Sequence, residues 1–77
     1  MNIEEVIKKL SELKSEYNEL GKKRMELIEK IDSNINDINI YKKYADAIEE
    51  LDKKIAENVN QYIMLLKKLI NMLSKVS

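Results

Sequence analysis

Apolar residues recur along this chain with a seven-residue period from one end to the other. With position a set at Ile3, the a series runs Ile3, Leu10, Tyr17, Arg24, Ile31, Ile38, Ala45, Asp52, Val59, Leu66 and Leu73. The d series runs Val6, Leu13, Leu20, Leu27, Asn34, Tyr41, Ile48, Ile55, Tyr62, Leu69 and Val76. Only Arg24, Asn34 and Asp52 are strongly polar in this set. A helix with such a stripe cannot cover it alone and must pack it against other helices. The pattern therefore predicts an all-α, coiled-coil-like chain.

One stretch interrupts the helical signal. Ser33-Asn34-Ile35-Asn36-Asp37-Ile38-Asn39-Ile40 is rich in residues whose side chains compete for backbone hydrogen bonds and favour caps and turns. Residues 1–77 are accordingly read as a single antiparallel two-helix hairpin: a helix over about 2–33, a turn over about 34–39 and a helix over about 40–76. Two registers bury apolar layers. One sets Ile3 against Val76, Leu10 against Leu69, Leu13 against Leu66 and Tyr17 against Tyr62. The other centres the turn on Asn36 and leaves the C-terminus overhanging. The heptad phase runs through the Asn-rich stretch without a slip, so one continuous helix of about 115 Å is the competing reading. Glu-before-Lys pairs four apart, such as Glu19 with Lys23 and Glu49 with Lys53, support helix on either reading.

The second helix is apolar beyond the seam. Ile63, Met64, Leu65, Ile70 and Met72 lie outside a and d, which implies a second contact surface. Self-association into a homodimer or larger four-helix bundle follows, with Tyr62, Ile63, Leu66, Leu69, Ile70 and Leu73 at the interface with another copy or with a different protein. At 77 residues, with no Cys for disulfides and neither Cys nor His for zinc, oligomerisation is the remaining stabilising device.

Composition narrows the function classes. There is no His and no Cys, which removes the commonest general base and the strongest nucleophile. No Gly-rich phosphate loop or dinucleotide fingerprint occurs. The expectation is a non-enzymatic protein–protein interaction module, a small regulator, inhibitor or assembly factor without cofactor or metal. Charged residues are 36% of the chain and balance to zero, which disfavours nucleic acid as a partner. The most apolar run, Tyr62 to Leu73, carries Lys67 and Lys68 and falls short of the roughly 20 apolar residues of a membrane span. Glu4 and Glu5 stand where a signal peptide would be basic. A cytoplasmic protein, of a cell or of an infected host, is expected. Abundant Ile, Lys and Asn have AT-rich codons and point to a low-GC bacterium, an archaeon, or a phage or virus.

Two local features carry candidate chemistry. Arg24 and Asp52 are the charged seam positions; both registers bring them within reach, as a pair that fixes alignment. Lys22, Lys23 and Arg24 on the first helix, with Tyr41, Lys42, Lys43 and Tyr44 opening the second, offer cations beside aromatic rings. The alternative function built on them is capture of a nucleotide-like or other anionic ligand by an oligomer.

Overall fold

The computed structural model describes residues 1–33 and 36–75. Two α-helices, α1 (Ile3–Ser33) and α2 (Ile38–Ser74), pack against each other along their length as a hairpin 61 Å long and 15 Å across. The single continuous helix is thereby excluded. Among the described residues no helix is long and apolar enough to cross a membrane.

Both helices start at side-chain caps. Asn2 Oδ1 accepts from the Glu5 backbone N–H at 2.8 Å, and Asn2 Nδ2 donates back to the Glu5 carboxylate at 3.3 Å. The first bond is an N-cap and the second ties the two side chains together, and Glu4 and Glu5 lie where the helix dipole favours acids. At the turn, Asp37 has an extended backbone and its carboxylate accepts from the N–H groups of Asn39 and Ile40. That cap places Ile38 and Asn39 in the first turn of α2. The seam position Asn34, the flanking Ile35 and the proposed pairing of Ile3 with Val76 lie outside the described residues.

On α1 the buried face follows the heptad reading except at Tyr17, which is 47% exposed: Val6, Leu10, Leu13 and Leu20 are buried, and Ile3, Arg24, Leu27 and Ile31 are half-buried. On α2 the face differs from the expectation. Ile48, Ile55, Tyr62 and Leu69 face α1 as expected, but their seam partners are Tyr44, Leu51, Asn58, Leu65 and Met72. The residues assigned to that role, Ala45, Asp52, Val59, Leu66 and Leu73, are exposed, as are the expected seam positions Ile38 and Tyr41. Each true partner precedes the expected one by a single residue; with the other line kept, the packed face turns by about 50° around the helix.

The physical reason lies in the N-terminal half of α2. The C-terminal half offers two overlapping apolar lines and would accept either phase. Farther up, the observed line buries Tyr44 and Leu51, whereas the expected one would bury Ala45 and Asp52. Burying an aspartate costs more than burying Asn58, which finds hydrogen-bond partners. Cross-helix contacts put the register close to the second of the two expected ones, with the turn near Asn36: Leu13 lies near the level of Asn58, Arg24 near Asp52 and Lys30 near Tyr44.

Gly21 occupies a half-exposed site on α1, and a Cβ added there meets nothing within 4 Å. Its backbone is ordinary helix, without positive φ. Gly21→Ala is therefore expected to stabilise the hairpin by about 0.5–1 kcal/mol through the reduced entropy of the unfolded chain. The urea midpoint checks it; a fall would mean that the space is occupied in solution.

Candidate functional interface

The most buried polar side chain is Asn58, 3% exposed in the middle of α2. Its Nδ2 donates to the Leu13 carbonyl at 2.9 Å and to Glu16 Oε1 at 3.3 Å. No buried side-chain nitrogen or oxygen among the described residues lacks a partner. A buried amide in an apolar seam fixes register, because sliding the helices strands it without partners. Sequence reasoning missed this role. The misassigned phase of α2 put Asn58 off the seam, and only a count of apolar residues on the line 44, 51, 58, 65 and 72 would have found it.

Arg24 and Asp52 meet, with Arg24 Nε donating to Asp52 Oδ1 at 2.7 Å. Both side chains are nearly half exposed, so the pair sits at the edge of the seam rather than inside it. The hydrogen bond that Arg24 donates to Asp52, and then the negative charge of Asp52, push the Arg24 guanidinium above its usual range. For the guanidinium the sign is that of a cation gaining a partner: its contribution is complete at neutral pH and is lost at strongly alkaline pH. Exposed pairs are screened. Asp52→Ala should therefore lower stability slightly, by an amount that shrinks as salt is added, and the Arg24–Asp52 double-mutant cycle in low and high salt checks this. A coupling that salt leaves unchanged would contradict the edge placement.

The basic runs do not form one cluster. Arg24 is level with Asp52, whereas Tyr44 is level with Lys30, whose ammonium lies 5.8 Å from the ring centroid. That separates the runs by about 12 Å along the bundle. Lys22 lies 3.8 Å from Glu19. Lys23 lines a groove of about 370 Å³ in which Glu26 and Glu50 alternate with Lys30 and Lys54. Tyr41, Lys42 and Lys43 are exposed on the opening turns of α2. Among the described residues no group of three or more carboxylates is placed to hold a metal ion.

The expected interface residues divide between two surfaces. Tyr62 and Leu69 are half-buried against α1. Ile63, Leu66, Ile70 and Leu73 face outward and, with Val59, are between 37% and 57% exposed. These five recur at alternating steps of four and three, so α2 carries a second heptad seam one residue out of phase with the first.

The two flanks of the hairpin differ in character. One groove, of about 370 Å³, is the charged one already described. The groove on the other flank, about 340 Å³, is lined by Lys14, Tyr17, Asn18, Asn58, Val59 and Tyr62. Heptad spacing extends this second flank: Ile7 stands in line with Lys14, while Leu66 and Leu73 stand in line with Val59. Ile7 is 53% exposed. The apolar stripe thus runs along the C-terminal half of α2 and reaches α1 at the open end of the hairpin.

No family model, curated protein or solved structure matches this chain.

Proposed function

We propose that this protein is a non-enzymatic protein–protein interaction module: a helical hairpin that self-associates through the outer seam of α2 and acts as a small regulator, inhibitor or assembly factor. The observation that carries this reading is the exposed line Val59, Ile63, Leu66, Ile70 and Leu73. An isolated hairpin gains nothing from a second heptad seam pointing into water. A seam of that kind is buried when another helix lies along it.

The area supports a second copy as the occupant. With Ala56 and Ile7, the line exposes on the order of 500 Å² of apolar surface, at the upper end of what monomers leave uncovered. Two copies would remove about 1,000 Å², the lower bound for a specific interface.

The test separates folding from association. Ile63 and Ile70 face away from α1, so Ile63→Glu combined with Ile70→Glu should leave the far-ultraviolet helical signal of the hairpin intact. Size-exclusion chromatography should show the doubly substituted chain eluting as a monomer and the unaltered chain as a dimer or larger. Identical elution of the two would contradict the reading.

A further inference from the structure

We propose that two copies of this chain pack α2 against α2 in antiparallel fashion, about a twofold axis beside Met64 and Leu65, with Ala56, Val59, Ile63, Leu66, Ile70 and Leu73 as the shared seam. This rests on the self-association proposed above and adds its geometry.

The outer seam has the symmetry that such an arrangement needs. Counted from Ala56 to Leu73, the steps are three, four, three, four and three, the same in both directions. A twofold interface presents the same patch from both subunits, so each residue must find its complement on a reversed copy. Reversal sets Ala56 against the second copy's Leu73, Val59 against its Ile70, and Ile63 against its Leu66. The smallest residue then meets one of the largest at each end, as interdigitating layers require. In a parallel pairing Ala56 would face Ala56 and leave a gap at one end.

Charge favours the same direction. Past Glu57, α2 and its C-cap carry only positive charges, on Lys67, Lys68 and the cap residue Lys75. A parallel pair would bring both basic ends together and align the two helix dipoles. The antiparallel pair separates those ends. It sets Lys67 across from the second copy's Asn60, and it brings the second copy's Glu57 to a level between Lys68 and Lys75. The seam also has a natural limit at its upper end, because Asp52, the next residue in line with Val59, is bound to Arg24.

Single-cysteine variants test the geometry directly, since the chain has no Cys of its own. Spin labels on Asn60→Cys, Lys67→Cys and Ser74→Cys occupy one exposed edge of α2. In an antiparallel pair, equivalent sites separate along the axis by about 3 Å for each residue of distance from the twofold. Axial offsets of about 8 Å at Lys67, about 14 Å at Asn60 and about 28 Å at Ser74 are expected. Pulsed dipolar spectroscopy should therefore rank the inter-copy distances Lys67, Asn60, Ser74 from short to long. Equal distances at all three sites would overturn the antiparallel geometry while leaving self-association standing. No dipolar coupling at any site, with the monomer mass in solution, would overturn both.

Discussion

Leu13→Ala is expected to destabilise the hairpin by about 2–5 kcal/mol, the range for emptying a buried leucine site. Leu13 is buried on the face of α1 that meets α2, and its carbonyl receives the Asn58 amide. Removing the side chain loses its transfer free energy and opens a cavity between two helices that have no third layer to collapse into it. At about 0.05–0.15 kcal/mol per residue a chain of this size holds roughly 4–12 kcal/mol in total. The substitution therefore takes a large share, and the urea midpoint should fall steeply with little change in slope. Ile70→Ala, at an outward site, is the contrast: it should leave the stability of the isolated hairpin nearly unchanged and weaken association. Equal losses of hairpin stability at both sites would mean that α1 does not cover the face described.

Asn58→Asp should be the most damaging change of a single polar group, costing about 3 kcal/mol at neutral pH, because it leaves a buried charge without a partner. The amide donates to the Leu13 carbonyl and to Glu16. A carboxylate there would present oxygen to both acceptors and lie beside a second acid. Burial and the neighbouring negative charge would raise the introduced carboxyl above the usual aspartate value. A raised folded-state value gives stability that is present at low pH and lost as pH rises through it. The deficit relative to the unaltered chain should thus narrow towards pH 4, where the protonated acid can donate as the amide does. Asn58→Leu should behave in the opposite way, matching or exceeding the original stability while permitting alternative registers, as removal of a buried amide from a coiled-coil seam does. Urea melts across pH 4 to 8 decide it; a deficit that is flat with pH would place residue 58 in water.

The hairpin was legible in the sequence because both of its causes are local. A sustained heptad marks the helices, and a run of Ser, Asn and Asp marks the break, with Asp37 capping α2. The face of α1 was legible too, since only one of its lines is apolar. The face of α2 was not. Two apolar lines overlap from Val59 onward, and a heptad assignment started at Ile3 carries its phase across the turn, where nothing obliges the second helix to keep it. The choice between lines is made by Leu51 against Asp52, a comparison of burial costs that periodicity alone does not weigh. The same one-residue shift hid the role of Asn58 and moved Asp52 from the seam to its edge. It also turned Leu66 and Leu73 from supposed intramolecular core into the outer surface. The separation of the basic runs follows from register as well. The turn reverses the chain, but Lys22 to Arg24 stand well back from the end of α1, so reversal does not bring them level with Tyr41 to Tyr44.

The proposed self-association requires a second copy over the outer seam of α2. Sedimentation equilibrium of the unaltered chain, over concentrations from below to well above micromolar, measures this without label or substitution. A mass of at least twice 9.1 kDa at micromolar concentration is the predicted result. A mass of 9.1 kDa throughout that range would contradict it.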